Sequence, residues 1–510
     1  MAGFENYYMK SESLGAARDK YELTGYPYLN IGSEDFQTNS GTGSEYTSNS
    51  VFGRVIYSYA DRYLFQANVR HDGSSRFAKG YRWGTFPSFS AGWVASEEKF
   101  MKNLKWDWLS FLKLRGSWGM LGNERIGSNY FPYIALMSFG NSLFYMADGS
   151  VVSDKTARPA VLAVEDITWE TTTSTDLGLD VNFLNNRLQF HFDYYWKETK
   201  DMLLNIEIPY FMGYNNPSTN AGKMSTHGYD IEVAWNDQIG DFKYGVNVNF
   251  SDFLSKIDYM NDGEQISGGK IKRAGVLFNE FYGYVCEGIY QTQEEVNNSA
   301  RTSTTVTVGD LKYRDISGPD GVPDGVISPE YDRVPLGNSL PRFQYGGSLN
   351  ASYKGIDFSL AFQGIGKQNS YLSTSMVQPL RDNYGNVPAI LEGKYWSPFN
   401  TTEENLAAKY PRLSNVSKSN NYATSNFWMF NGSYFRLKNI TLGYTLPKSW
   451  TQKAGINRAR FYVSGSDLFC LSNFPSGWDP EMGTSDYPIT TSLVTVSYTH
   501  LRAHETRHDL

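Results

Sequence analysis

The segment Thr175–Phe183 (TDLGLDVNF) decides the fold, because apolar and polar side chains alternate along it. Successive side chains of a β-strand lie on opposite faces. Leu177 and Val181 therefore lie on one face, and Asp176 and Asp180 lie on the other. This pattern predicts a strand with one apolar and one polar side.

A second alternating run follows after a two-residue link, Asn185 and Asn186. Phe190 and Phe192 lie on one face of this run, and Asp193 lies on the other. Two such runs joined by a short polar link predict a β-hairpin with one apolar side.

The same alternation recurs along the chain and gives about thirteen predicted strands. Most of them reach roughly nine to thirteen residues, longer than the ~5 to 6 of soluble strands and enough to cross a bilayer when tilted. They cover residues 51–60, 62–71, 83–95, 111–120, 173–184, 187–204, 226–236, 241–253, 342–353, 356–367, 433–446, 458–469 and 488–498.

The links between these strands alternate between short or modest and mostly long. Bacterial outer-membrane barrels have short turns on the periplasmic side and long loops outside. The sequence therefore predicts an all-β protein, a transmembrane antiparallel β-barrel of the Gram-negative outer membrane. The longest links are residues 121–170, 254–341 and 368–432.

The odd strand count predicts that the chain is part of a longer protein, since bacterial single-chain barrels normally have an even number of strands. The start at Met1 also lacks the basic and apolar regions of a secretory signal. We expect residues 1–50 to be an extracellular loop region before the first complete strand. Residues 51–494 are then the C-terminal part of the barrel, and residues 495–510 are the end of the last strand and a tail. We do not expect this chain to close into a barrel alone.

Composition narrows the class of function. Aromatic residues make up 16% of the 510 residues, as suits strands and membrane interfaces, and the net charge of −7 argues against nucleic-acid binding. No catalytic motif with a supporting context occurs, so we expect no enzyme activity. Cys286 and Cys470 are far apart and are interpreted as isolated thiols.

The chain also contains a series of motifs from about residue 50 to about residue 494, in the order of a known family. They are RHDGSSRF (70–77), RWGTFPSFSAGW (82–93), LKLRGSWG (112–119), WETTTSTDLGLD (169–180), DYY (193–195), YFRLKNITLGY (434–444), YVSG (462–465) and DPE (479–481). With these motifs the chain resembles the SusC-like TonB-dependent outer-membrane transporters of Bacteroidetes-type bacteria.

The resemblance implies a barrel of about 22 strands around an N-terminal plug. This chain would supply about the last thirteen strands, with the plug and TonB box missing. It further implies active import of a large nutrient, an oligosaccharide (glycan) or a peptide. TonB–ExbB–ExbD would supply the energy, and a SusD-like surface lipoprotein would be the partner. The alternatives are a passive porin or structural outer-membrane barrel, and a soluble glycan-binding β protein.

An acidic loop just before residue 342 is a candidate calcium site, because calcium prefers six to eight oxygen ligands on a tightly turning backbone. The family often has an aspartate-rich loop at this place, and an acidic turn without metal is the alternative. No cofactor is required. The candidate ligands are Asp315, Ser317, Asp320, Asp324, Glu330 and Asp332.

Three loop tryptophans, Trp396, Trp428 and Trp478, are candidates for stacking on sugar rings. Anchoring at a membrane interface is the alternative for such aromatic residues. The substrate-binding residues are otherwise unknown from the sequence.

The tail contains His504, Glu505 and His508 in the H-E-x-x-H pattern of zinc proteases. It lies near the chain end without a long helix or a third ligand, so we assign no zinc site. The family pattern also stops near Val494, and we hypothesise that residues from about 497 are not native coding sequence. The nucleotide sequence across codons 490 to 510 in an independent isolate tests this.

Overall fold

The computed structural model describes residues 1–26, 28–104, 106–125, 130–135, 137–261, 263–381, 385–483 and 487–501. One antiparallel sheet of fourteen strands dominates it. Its strands, labelled in chain order, are β1 (Ala2–Arg18), β2 (Gln37–Tyr59), β3 (Tyr63–Ser74), β4 (Trp83–Val94), β5 (Leu109–Asn123), β6 (Glu170–Phe183), β7 (Leu188–Asn205), β8 (Ser218–Ile239), β9 (Phe242–Met260), β10 (Arg342–Tyr353), β11 (Ile356–Lys367), β12 (Tyr434–Thr445), β13 (Ile456–Ser472) and β14 (Ser492–Leu501).

Each strand pairs with its neighbours in chain order, from β1 to β14. The deciding hairpin forms as predicted, with Leu179 opposite Phe192 and Val181 opposite Phe190. Its turn is longer than the predicted two residues, because Leu184 and Asn186 both have positive φ and lie outside the ladder. In the described residues, no pairing joins β1 to β14, so the sheet is open.

All thirteen predicted strands are present, and the sequence analysis missed one. Residues 1–50 are not a loop region: β1 pairs residue for residue with Gln37–Gly53 of β2, and only residues 19–36 connect them. Half-buried strands are recognised by alternation, but β3 covers β2 only from Ser48 onward, so much of this two-stranded ribbon is exposed on both faces.

The predicted alternation of links is confirmed. Short links of two to four residues join β2 to β3, β6 to β7, β8 to β9 and β10 to β11, all at one end of the sheet. Two links at this end are longer and contain the helices Lys99–Asn103 and Lys448–Thr451. The long links leave from the opposite end.

The long links contain further short elements. The helices are Gln293–Asn297, Thr374–Val377, Thr402–Leu406 and Lys418–Asn421. The strands are Met137–Tyr145, Val151–Pro159, Glu264–Ser267, Lys270–Arg273, Glu280–Tyr284, Cys286–Ile289, Leu311–Tyr313, Arg333–Asn338, Asn369–Tyr371 and Met429–Asn431. Among the described residues, no helix combines the length and the apolar character needed to cross a membrane.

The two longest links, residues 261–341 and 368–433, pack together into what we call the loop body. Its apolar core joins Leu311 and Tyr313 from the first link with Val377, Leu391 and Trp428 from the second. Burial of this core gives the loop body a hydrophobic centre separate from the sheet.

The last described residues belong to β14, which pairs with β13 up to Leu501. Residues 495–501 therefore belong to this strand. The rest of the tail, residues 502–510 with the His504–His508 motif, lies outside the described residues.

Candidate functional site

The sheet has one apolar and one polar face, and the apolar face is uncovered. Leu177 is 54% exposed and Phe461 is 50% exposed, and both lie on the apolar side of their strands. A soluble protein would cover such a face with a second layer of structure. The described chain supplies no such layer over it, and lipid is the solvent that suits this surface.

The height of the apolar face matches a membrane. Trp83 and Trp93 lie on the same face of β4, ten residues apart. At about 3.3 Å per residue they are separated by roughly 33 Å along the strand, and a tilt of about 40° reduces this to roughly 25 Å across the membrane. That is about the height of the apolar band of outer-membrane barrels, flanked by aromatic residues.

The polar face is held together by ion pairs, and one group of them surrounds Arg115 on β5. The Arg115 guanidinium donates to Asp193 of β7 (Nη2–Oδ2 2.6 Å) and to Asp180 of β6 (Nε–Oδ1 3.2 Å). Asp176 lies 3.7 Å from Nη1. Lys113 adds a second cation 3.6 Å from Asp180. Three carboxylates and two cations thus connect three strands.

Arg115 reaches β7 by crossing a glycine on the strand between. Gly178 of β6 lies directly under the guanidinium, and a Cβ built on it would meet Arg115 Cζ at 2.4 Å. The same arrangement recurs at the other side of the sheet, where Arg460 of β13 crosses Gly443 of β12 to pair with Asp357 of β11. In both places the glycine has no side chain, and this leaves the space through which the arginine reaches its carboxylate.

Replacement of Gly178 by valine is expected to destabilise the sheet by about 1–3 kcal/mol, because the new side chain occupies the space of the Arg115 guanidinium. Urea unfolding of the protein in detergent or vesicles measures this. Gly116→Ala is the matched control, since its Cβ would meet only Leu177 at 3.4 Å and Asp176 at 3.8 Å. Equal stability of the Gly178 variant and the parent would contradict the crossing geometry.

A second ion-pair group ties the last long link to the sheet. Arg436 of β12 is 3% exposed and donates to Asp479 (Nη2–Oδ1 2.6 Å), and its Nε lies 2.7 Å from Glu481. Lys438 pairs with Asp467 of β13 at 2.7 Å. Burial is the largest single influence and acts to raise the pKa of Asp479, but the hydrogen bonds from Arg436 and the Glu481 N–H, together with the Arg436 charge, leave that pKa below its ordinary value.

These partners come from the motifs that carry the family resemblance. Arg115, Asp180 and Asp193 belong to three separate motifs, and Arg436 and Asp479 belong to two more. The alternation of apolar and polar residues predicts that these charges lie on the polar face, but it does not predict which charges pair. Their spacing of 65 and 78 residues left no local signal for the choice of partner.

The candidate calcium ligands are not gathered around one point. Both oxygens of buried Asp332 accept backbone N–H bonds, from Ile316 (2.7 Å) and Ser328 (2.7 Å). Asp315 accepts from the Gly325 N–H at 2.7 Å, and Asp324 accepts from the N–H two residues on. The remaining carboxylates of the set, Asp320 and Glu330, are exposed.

Ser317 also uses its N–H to contact Asp332, at 3.3 Å. Within the described ranges, no group of three or more His, Cys, Asp or Glu side chains is placed to hold a metal ion. The arrangement is that of an acidic turn stabilised by its own backbone, and it does not fit the predicted calcium set.

The three candidate tryptophans lie in or against the loop body. Trp428 is 1% exposed, donates from Nε1 to the Asn421 carbonyl (2.8 Å) and is part of the apolar core. Trp396 is also buried and donates to Gln291. Neither ring has a free face for a sugar, so their assignment as ligand contacts was wrong. Trp478 is half-buried against the loop body, and its role stays a prediction.

Both cysteines are free thiols. Cys286 lies in the loop body, where burial raises its thiol pKa to about 11. Because the thiolate is the reactive form, Cys286 is expected to resist alkylation by iodoacetamide near neutral pH. Its labelling rate should rise steeply with pH up to that pKa and reach that of an ordinary thiol once the protein is unfolded in urea. Rapid labelling of the folded protein at neutral pH would contradict the burial.

The family model described as "TonB dependent receptor-like, beta-barrel" matches residues 4–464. The chain belongs to this family. The resemblance found in the sequence is thereby confirmed, and this TonB-dependent receptor barrel is an outer-membrane protein.

Curated relatives of this receptor barrel include TonB-dependent receptor P3 of Formosa agariphila, 32% identical over 520 residues. That alignment covers 94% of this chain and 48% of the relative. TonB-dependent receptor SusC of Bacteroides thetaiotaomicron is 31% identical over 444 residues, covering 85% of this chain and 41% of SusC. The chain thus spans about half the length of the curated relatives it matches.

Among solved structures, the RagAB peptide transporter matches this receptor barrel with a TM-score of 0.79 at 23% identity. The match covers 98% of this chain and 53% of that one. At this level of identity the likeness concerns the fold, and it supports the antiparallel outer-membrane sheet described above.

Proposed function

We propose that the chain is part of an importer that takes a large nutrient, an oligosaccharide or a peptide, across the outer membrane. The observation that carries this is the two-sided sheet: lipid suits its apolar face, while its polar face carries ordered ion pairs that suit a water-accessible passage. The loop body at the long-link end adds a folded surface at the mouth of that passage.

Energy for this import comes, in our proposal, from the inner-membrane proton gradient through TonB–ExbB–ExbD. This rests on membership of the TonB-dependent receptor family. A SusD-like surface lipoprotein is the proposed partner, supported by the relationship to SusC. We expect no enzymatic step, since relatives in this family are named as receptors.

Uptake measurements in the source organism test the proposal. A strain lacking the gene is expected to lose growth on one class of oligosaccharide or peptide, and a restored copy is expected to recover it. Dissipating the proton gradient should stop uptake of the labelled nutrient in the complemented strain. Uptake that continues without the gradient would instead indicate a passive porin.

Partnership is tested separately by purification. An affinity-tagged copy extracted in mild detergent is expected to bring down a surface lipoprotein encoded near its gene. Purification of the receptor alone, from membranes in which that lipoprotein is present, would reject the proposed partner.

A further inference from the structure

The link between β4 and β5 forms an ordered segment fastened to the apolar side of the sheet. Its residues 98–104 and 106–108, here called the turn anchor, include the helix Lys99–Asn103. Glu98 is only 9% exposed and accepts hydrogen bonds from Arg62 Nη1 (3.0 Å) and Trp93 Nε1 (3.2 Å). The Tyr63 hydroxyl also donates to Glu98, at 2.5 Å. Three donors thus hold the start of the helix: Tyr63 on β3, Arg62 directly before β3, and Trp93 on β4.

The other end of the turn anchor is fastened by aromatic stacking. Trp106 stacks on Trp108 with ring centroids 5.4 Å apart, and Trp108 stacks on Phe183 at 5.7 Å. Phe183 lies on the apolar face of β6, and the Leu184 N–H donates to the Trp108 carbonyl (2.8 Å). The segment is therefore held at both ends against the side of the sheet that suits lipid.

Although it is fastened, the turn anchor leaves large apolar side chains uncovered. Phe100, Leu104, Trp106 and Trp108 are between 44% and 53% exposed. Clusters of this kind on a protein surface mark a contact with another apolar medium or molecule. Half-exposed tryptophans with a polar N–H are typical of the boundary between lipid headgroups and acyl chains.

The surface around the turn anchor shows which medium covers it. Four strand residues and one residue of the helix Lys448–Thr451 also expose aromatic side chains at this same end of the sheet. These are Tyr59, Tyr63, Tyr353, Tyr444 and Trp450. The turn anchor contacts this aromatic rim through Tyr63, which donates to Glu98 and stacks on Tyr59, and it lies at the same end of the sheet as the other members.

The charges of the turn anchor do not favour a lipid with a particular headgroup charge. The sequence of residues 97–108 contains three acids, Glu97, Glu98 and Asp107, and three lysines, Lys99, Lys102 and Lys105, so the formal charges cancel. Lys102 is already paired with Glu97 at 2.6 Å. Attraction to an anionic surface is therefore weak, and burial of aromatic area is the main favourable contribution.

We propose that the turn anchor is a lipid-binding element, which inserts Phe100, Trp106 and Trp108 at the headgroup–acyl boundary of the leaflet on the short-link side. Glu98 is its positioning residue, because it fixes the helix to the sheet. Phospholipid is the occupant, and the binding needs no particular headgroup charge. This inference does not depend on the transported nutrient.

Depth-dependent fluorescence quenching tests the proposal. A Phe100→Cys variant of the full-length receptor, with Cys286→Ser and Cys470→Ser and no other free thiol, is labelled with the fluorophore NBD and reconstituted in phosphatidylcholine vesicles. Its emission is expected to be blue-shifted, quenched by lipids brominated near the carbonyls and protected from aqueous iodide. A matched probe at Phe399→Cys, on a 96% exposed loop-body residue, is expected to be quenched by iodide only. An iodide-accessible, bromolipid-insensitive probe at position 100 would overturn the proposal.

The role of Glu98 is tested in the same labelled protein. Glu98→Ala is expected to shift the emission to the red and increase iodide quenching, because the helix loses its attachment. Glu97→Ala is the control, since this neighbour makes only an exposed ion pair with Lys102. Heat-modifiable migration in gels verifies that each variant is folded. Identical emission of the Glu98 and Glu97 variants would overturn the positioning role.

Discussion

Replacement of Asp310 by alanine is expected to loosen the loop body by about 3–5 kcal/mol, because it leaves buried polar groups without their acceptor. Asp310 is fully buried and accepts from Arg412 Nε (2.7 Å), Ser417 Oγ (2.8 Å) and Asn421 Nδ2 (2.9 Å). It also accepts from the Thr307 N–H at 2.9 Å. This one carboxylate connects the two longest links across about a hundred residues of sequence.

Limited proteolysis of the folded protein measures this effect. Cleavage is expected within residues 261–341 and 368–433, while the sheet keeps its heat-modifiable migration. Asp320→Ala is the matched control, because Asp320 is an exposed carboxylate of the same link. If the Asp310 variant resisted protease as well as the Asp320 variant does, the two links would not share one polar centre.

Replacement of Arg115 by methionine is expected to reduce the free energy of unfolding of the sheet by about 2–4 kcal/mol. Removing one partner of an ion-pair group leaves its carboxylates uncompensated, and partial exposure of Arg115 reduces the penalty below that of a fully buried pair. Asp176, Asp180 and Asp193 would then face one another beside Lys113 and the His191 ring, which both contact Asp180. Methionine retains much of the volume, so the loss reports mainly on charge.

Urea unfolding in lipid vesicles gives the size of the Arg115 effect. Arg187→Met is the control, since Arg187 makes one long, partly exposed ion pair with Asp237 at 3.4 Å and one hydrogen bond to the Leu184 carbonyl at 3.0 Å, and such ion pairs contribute at most about 1 kcal/mol. A double variant that also changes Asp193 to asparagine should recover part of the loss. Equal unfolding of the Arg115 and Arg187 variants would show that the ion-pair group does not stabilise the sheet.

The strands were predictable from sequence because the signal is local. Each strand of the membrane-facing sheet is half apolar, and alternation at Leu177, Leu179 and Val181 reports this directly. The first strand, β1, was not predicted, because much of the two-stranded ribbon that it forms with β2 is exposed on both faces. Apolar–polar alternation therefore predicts the strands that face lipid on one side and water on the other. It does not predict β1, which lacks this difference between its two sides.

The loop body and the ion-pair partners were less predictable, since they depend on contacts between distant segments. Arg412 lies 102 residues from Asp310, and no periodicity relates them. Trp396 and Trp428 were interpreted from residue type alone, and only the packing of two links shows that they are core residues. The prediction of a calcium site failed for the same reason. Asp332 accepts hydrogen bonds from backbone N–H groups, and the spacing of carboxylates in the sequence does not specify these partners.

The two glycine crossings fix the alignment of three strands at a time. Sliding a strand by two residues keeps every side chain on its original face, so apolar alternation alone cannot prevent it. If β6 moved by two, Asp176 or Asp180 would replace Gly178 beneath the guanidinium and block its path to β7. At β12 a threonine would replace Gly443 in the same way. A glycine in the polar face thus excludes the two-residue shifts of a strand that the apolar–polar alternation alone would permit.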